Sequence, residues 1–381
     1  MRATAWRGVR RPVALLAGLA LALGAALAQA QTPVQSLPLR VDTVTDGLLS
    51  PASLAFLPDG RFLVAELGGR LRLVDAAGRL QPGALNSPLP DALNDVTGLI
   101  DVVLDPDFAT TQRLFLTYQR GTKRANQLRL VSAQLQGDRL GPVTTLFDAL
   151  PARLGASNFG GRMVFLPDKT LVITVGDGFE GREQAQNRRS HLGKLVRLNR
   201  DGSVPANNPW VGRADTLPEV YSLGHRNTQG LALDTTTQRL WANEHGAKGG
   251  DEINLIEPGR NYGWPLATFG VDYTGARITP YTELPGLSPP LLHWTPSIAP
   301  SALAIYQGEA FKAWRGDLFT STLAGKALVR VRLDGARVVQ QEKLLADLDA
   351  RLRDVKVGPD GLIYLLTDDK NGRLLRLRPG P

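Results

Sequence analysis

The chain has 381 residues and no cysteine. That absence excludes a disulfide framework and a lipidated N-terminal anchor. Stability must come from an apolar core, with a bound metal as the remaining cross-link. Histidine is scarce, with only His191, His225, His245 and His293. Few side chains can therefore take a proton near neutral pH. Long amphipathic helical patterns are missing, which argues against a (β/α)8 barrel. No run of Lys and Arg is interleaved with aromatics, so no nucleic-acid partner is expected.

What is present begins with the N-terminus. Arg2, Arg7, Arg10 and Arg11 precede an apolar run from Val13 to Ala26, and Ala28-Gln29-Ala30 follows. This is the pattern of a secretory signal peptide over residues 1–30. The apolar run is short for a membrane span, so no span is expected after cleavage. A periplasmic or secreted location is expected. Without those four arginines the chain carries 40 basic and 36 acidic residues, a balance of +4.

Forty Gly and 26 Pro indicate many turns. Six stretches share one plan of strand, tight turn and strand: 54–66, 102–118, 163–177, 231–246, 303–323 and 355–368. Pro, Asp and Gly dominate several of the turns. Further strand pairs are expected at 69–80, 193–204, 325–339 and 372–380, with a period of two along Leu195–Asn199. Two hairpins per unit make a four-stranded antiparallel blade, and six units predict an all-β, six-bladed β-propeller. Residues 31–381 read as one domain. A Pro-rich loop insertion without strand periodicity is expected at about 265–300.

The chemistry concentrates in 221–264. Gly246, Gly249, Gly250, Gly259 and Gly263 permit sharp bends and close approach to a ligand. Asp251 and Glu252 offer hard oxygen ligands suited to calcium. Arg226 and Asn227 supply a planar cation and an amide suited to a carboxylated ligand. Solvated acids and strand-edge charges are the alternative for each residue taken alone.

These residues carry a resemblance. FGGR (159–162), HLGKLVRLNRDGSVPANNPW (191–210), YSLGHRNTQGLAL (221–233), residues 244–264 and RLRDVKVGPDGLIYLLTD (351–368) resemble the soluble PQQ-dependent sugar dehydrogenases. The resemblance is to the aldose sugar dehydrogenase branch in particular, and it spans nearly all of the chain after residue 30. It implies a six-bladed propeller that oxidises the anomeric carbon of aldoses to lactones. Hydride passes to pyrroloquinoline quinone (PQQ), and an external acceptor takes the electrons. It further implies that Arg226, Asn227, Arg351 and Arg353 serve the cofactor. A calcium ion would be held by carbonyls of Gly246 and Ala247, and a second would lie near Glu252 and the Tyr262 carbonyl, with Asp251 beside them. A homodimer is expected on the same ground.

Three positions depart from that pattern. Where the family has a general-base His, this chain has Asn158, and an amide is no base near neutral pH. Val96 replaces a Gln, and Ala324 replaces a Lys, with Lys326 two positions on. Asp177 matches the acid that orients the family His and is the candidate substitute base. His191 reads as structural, and His245 as shaping the loop rather than binding metal. Trp294 is a candidate sugar- or quinone-stacking residue, with a core aromatic as the equal alternative. Two functions stay open: a quinone-dependent aldose dehydrogenase, or a propeller that binds calcium and quinone without oxidising sugar. A lactonase-type metal hydrolase would need a separate carboxylate cage, for which no residues stand out.

Overall fold

A computed structural model describes residues 37–85, 89 and 98–380. The signal-peptide segment and Val96 lie outside the described residues. Residues Pro38–Pro381 form one unit, built as six four-stranded antiparallel blades of a β-propeller.

The turn chemistry explains the hairpins. In blade one, Pro51–Phe56 pairs with Phe62–Glu66 through Leu57-Pro58-Asp59-Gly60. The turn closes by Gly60 N to Leu57 O at 3.0 Å, with Gly60 at φ +87°. Asp59 Oδ1 accepts from Arg61 N at 3.1 Å. The same arrangement recurs in blades three and six: Asp168 accepts from Thr170 N, and Asp360 from Leu362 N, both at 3.1 Å. Pro fixes φ, Asp binds its own turn, and a left-handed residue completes it.

Blade two is Leu99–Leu104, Arg113–Thr122, Ala125–Gln136 and Thr144–Asp148. Blade three is Gly160–Phe165, Leu171–Val175, Lys194–Leu198 and Val220–Leu223. Blade four is Thr228–Asp234, Arg239–Glu244, Asp251–Ile256 and Leu292–Trp294. Blade five is Pro300–Ile305, Leu318–Thr322, Leu328–Asp334 and Arg337–Leu344. Blade six is Leu352–Val357, Ile363–Thr367 and Gly372–Pro379, completed by Leu39–Leu48. In blade one, residues 80–85 follow Arg70–Val74 irregularly, through Gln81 N to Leu73 O and Leu85 N to Leu71 O.

Three expected strand pairs differ. Residues 69–80 contain one strand, Arg70–Val74, with Leu80 only bridging back to Val74. Residues 193–204 contain one strand, and its partner is Val220–Leu223 beyond a long loop. Residues 372–380 also form one strand, and its partner is the N-terminal Leu39–Leu48. This pairing joins the chain ends and closes the ring, leaving less open sheet edge. Residues 265–291 contain no strand, but the end of the expected insertion, Leu292–Trp294, supplies the outer strand of blade four.

The period of two does not sort residues into core and solvent. Lys194–Leu198 is buried throughout. Leu195 joins the cluster between blades three and four, whereas Val196 and Leu198 join the one between blades two and three. Alternation here assigns each side chain to one of two neighbouring blades, as expected when blades stack face to face. Equivalent clusters fill the other four blade interfaces.

The innermost strands converge on Arg162 of the FGGR segment. Its Nε donates to Gln229 O at 2.9 Å, and its Nη2 to Ser301 O at 2.9 Å and Arg353 O at 3.3 Å. Its Nη1 lies 3.8 Å from Asp101 and 3.7 Å from Asp354. Asp101 also accepts from Met163 N, and Asp354 from Leu54 N. One buried cation thus ties blades two to six around the axis, and Asp354 carries the connection to blade one.

Candidate active site

The site lies where blade three passes into blade four. Val220–Leu223 ends, Gly224 to Asn227 turns, and Thr228–Asp234 begins. Glu244, at the end of the next strand, fixes this turn. Its Oε2 accepts from Arg226 N at 2.6 Å, and its Oε1 lies 3.0 Å from His225 Nδ1. His225 Nε2 lies 2.8 Å from Ser222 Oγ, and its ring stacks on Tyr262 at 4.7 Å. Tyr262 is buried, and its hydroxyl donates to Leu255 O at 2.7 Å.

Arg226 is only 4% exposed, and among the described residues no carboxylate forms a salt bridge with it. Its Nη1 donates to Gly246 O and to His245 O. Its guanidinium lies 5.4 Å from the Trp264 ring and 6.0 Å from the Tyr273 ring. It lines a 220 Å³ pocket with Ala247, Trp264, Tyr273, Phe179 and Arg182, and the acids Glu180, Glu183 and Asp272 also border it. Phe179 and Tyr273 stack at the exposed side, with centroids 5.9 Å apart.

Asn227 reaches the FGGR segment. Its Oδ1 accepts from Gly160 N at 3.2 Å and from Gln229 Nε2 at 2.9 Å. Asn158, just before that segment, has φ +52° and donates from Nδ2 to Asp177 Oδ1 at 2.9 Å. Asp177 is fully buried. It also accepts from Phe179 N and Trp264 Nε1, both at 2.8 Å. Burial pushes the Asp177 carboxyl above the usual range, although Asn158, Arg226, Phe179 and Trp264 oppose this. Three donors already hold the carboxylate. Its geometry therefore suits orienting Asn158, whose amide oxygen is left as the acceptor end of the pair.

Arg351 and Arg353 stand at the start of blade six, both paired to Asp368. His245 feels the charge of both Arg226 and Arg353. Burial, then Arg226 and Arg353, lower its pKa to about 4, against an opposing pull from Asp251. A neutral imidazole therefore lies within Coulombic reach of both cations.

The metal candidates divide. A side chain at Gly246 would collide with the carbonyls of Gly249 and Gly250, so this turn is a carbonyl-lined cradle. Arg226 already occupies the Gly246 carbonyl, however, and a cation there would need it to withdraw. Asp251 is taken up structurally. Its Oδ1 accepts from Gly246 N at 2.9 Å, and its Oδ2 from Ser297 Oγ, Ile298 N and Ala299 N at 2.6–2.8 Å. Glu252 fits a cation better. Burial first, then Glu244 and Asp251, push its pKa well above normal, against Asn254. A void of about 10 Å³, bordered by Glu244, Glu252, Gly246, Tyr262 and Thr268, separates it from Arg226. That volume suits one water or ion. A larger cavity of 310 Å³ reaches Glu252 and Tyr262 from beneath residues 282–290.

Other expected residues lie apart from the pocket. Trp294 is on the outer strand of blade four, with Nε1 donating to Gln341 at 2.8 Å. His191 accepts from Leu150 N at 3.0 Å through Nδ1, inside the fold. His293 stacks on Phe269, and exposed Lys326 pairs with Asp349. Sequence reasoning passed over Glu244, Asp368, Phe179, Tyr273 and Trp264. Only the position of each acid at a strand end hinted at a role.

The Glucose / Sorbosone dehydrogenase family model matches residues 48–376. An uncharacterised protein of Synechocystis is 43% identical, over 88% of this chain and 85% of its own length. Aldose sugar dehydrogenase YliI of Escherichia coli is 38% identical, over 89% of this chain and 92% of its own. The PQQ-bound form of aldose sugar dehydrogenase from Streptomyces coelicolor is 30% identical, with a TM-score of 0.71, covering 90% and 99% of the two chains. The chain belongs to the glucose/sorbosone dehydrogenase family of sugar oxidoreductases.

Proposed function

We propose that the protein is a quinone-dependent aldose dehydrogenase, exported after loss of residues 1–30, that oxidises the anomeric carbon of a sugar to the lactone. The observation that carries this reading is Arg226, a buried guanidinium that forms no salt bridge among the described residues, facing a 220 Å³ pocket between Trp264 and Tyr273. An unpaired buried cation is costly unless an anion completes it. PQQ carries three carboxylates and a flat ring system. Arg226, Arg351 and Arg353 would meet the carboxylates, Asn227 would hold an amide contact, and Trp264 and Tyr273 offer ring faces. The likeness to a PQQ-bound relative supports the same choice.

When bound, the quinone supplies the two-electron acceptor and hands the electrons to an external acceptor. Calcium would be held at Glu252 and the Tyr262 carbonyl, and beside Gly246 and Ala247 once Arg226 turns to the cofactor. At the sugar, Asn158 would accept a hydrogen bond from the hydroxyl that loses its proton. Asp177 holds the Asn158 amide in that orientation, and Asn158 itself takes no proton. Solvent would have to receive it. This arrangement favours a second reading, in which cofactor and calcium bind but sugar oxidation is slow or absent.

The test is direct. Purified protein is given PQQ and calcium, the cofactor absorbance is followed, and glucose and other aldoses are then added. A shift followed by bleaching supports the dehydrogenase. A shift without bleaching supports the binding protein, and no shift sinks both.

A further inference from the structure

We propose that Asp368 is a positioning residue that holds Arg351 and Arg353 as one prealigned pair of anion-binding forks. The inference rests on the reading of the two arginines as cofactor anchors.

Asp368 directly follows the strand Ile363–Thr367, whose partner strand is Leu352–Val357. Leu352 pairs with Thr367, and the register shifts before Asp354. Asp368 N donates to Arg351 O at 2.8 Å, so the carboxylate sits at the mouth of this strand pair. The backbone of Arg353 is fixed separately, through its carbonyl, by Arg162.

The carboxylate divides evenly between the two guanidiniums. Oδ2 accepts Arg351 Nε at 2.8 Å and lies 2.7 Å from Arg351 Nη2. Oδ1 accepts Arg353 Nε at 3.0 Å and Nη2 at 2.7 Å. Each arginine is gripped along its Nε edge, and its Nη1 remains outside that grip. Among the described residues neither arginine forms a salt bridge with another acid. Two cations therefore share one anion, and one positive charge remains for a ligand.

Two physical effects oppose each other here. The negative charge of Asp368 repels an incoming carboxylate and should weaken binding. Its three hydrogen bonds and one further ion-pair contact also remove rotamer freedom that two long side chains would otherwise lose on binding. Arg351 is 45% exposed at its side chain, so it has most freedom to lose. The proposal is that positioning outweighs repulsion.

The test is titration of the metal-loaded protein with PQQ, reading the dissociation constant from cofactor absorbance. Arg353→Ala should weaken binding at least tenfold. Asp368→Asn, although it makes the site more positive, should weaken it by about tenfold. Asp368→Glu should recover part of the loss. In the Arg351→Ala/Arg353→Ala background, where neither fork is left to position, adding Asp368→Asn should weaken binding no further. A purely architectural role would lower the urea midpoint without that non-additivity. If Asp368→Asn does not fold, Asp368→Glu carries the test: several-fold weaker binding at an unchanged urea midpoint is expected, and wild-type affinity overturns the inference. Wild-type or tighter binding by Asp368→Asn, with Arg353→Ala impaired, also overturns it. If neither Arg351→Ala nor Arg353→Ala weakens binding, the anchor reading falls, and the inference with it.

Discussion

Two groups of candidate site residues are built in opposite ways. Among the cations, charge is left over: the buried Arg226 guanidinium rests on carbonyls, and Arg351 and Arg353, on blade six, share one acid. Around Asp177, charge is matched more fully: the carboxylate meets donors from Asn158, Phe179 and Trp264, with a Coulombic pull from Arg226. Surplus charge marks a surface waiting for a partner, whereas matched charge marks a support. The contrast predicts that changes in the first part alter binding and changes in the second alter turnover.

Asn158→His should break the contrast most strongly. The imidazole would take the place of the Asn158 amide against Asp177 and add the base that the amide lacks. A positioned base contributes about 10²–10⁴-fold. Sugar-dependent dye reduction should rise by at least about 10² and fall at pH below about 6.5. Unchanged turnover, with PQQ still bound, would mean that proton transfer is not what limits this site.

Arg226→Ala addresses the other part. It removes charge-assisted bonds of about 1.5–3 kcal/mol, roughly 10–150-fold in affinity. The PQQ dissociation constant should rise by that factor. An affinity within twofold of wild type would show that the surplus cation does not meet the cofactor.

The two parts also differ in how far they could be read from sequence. Arg226, Asn227 and the glycines were legible because they sit in one continuous stretch. Asp177 and Asn158 were legible as residues, but the three donors that hold Asp177 come from segments up to Trp264. Glu244 and Asp368 act across strands, so their spacing carries no signal. The fold shows the same division. Hairpins with Pro-Asp turns were readable because each turn is local. The closing strand Leu39–Leu48 was not, because its partner Gly372–Pro379 lies at the other end of the chain. Nor was Val220–Leu223, which a long loop separates from Lys194–Leu198. Alternation in 195–198 was real, but it distinguishes two blades rather than core from water.

Calcium should sharpen the contrast by a smaller amount. Glu252 beside Glu244 is the better-fitting cation position. Calcium at about 100 times its dissociation constant adds about 2.7 kcal/mol to stability, or a few degrees in Tm. Glu252→Gln should lose most of that gain, and Asp177→Asn should keep it. An equal calcium shift in both would place the ion elsewhere.

The smallest effect concerns pH, and its sign separates the two parts. Burial raises Asp177 above its unfolded value. Between those two values the native state holds more proton than the unfolded state, so stability from this group falls as pH rises. Burial also pushes Asp368 up, but Arg353 and Arg351 outweigh it and leave the carboxyl below its usual range. Its stabilisation is present above about pH 3.9 and is lost as pH falls through the native value. Urea midpoints of the metal-free protein should therefore move oppositely. Relative to wild type, Asp177→Asn should improve from pH 4 to pH 7, and Asp368→Asn should worsen from pH 3 to pH 7. Parallel slopes would mean that the two carboxylates stand in similar surroundings, and the distinction between surplus and matched charge would lose its electrostatic basis.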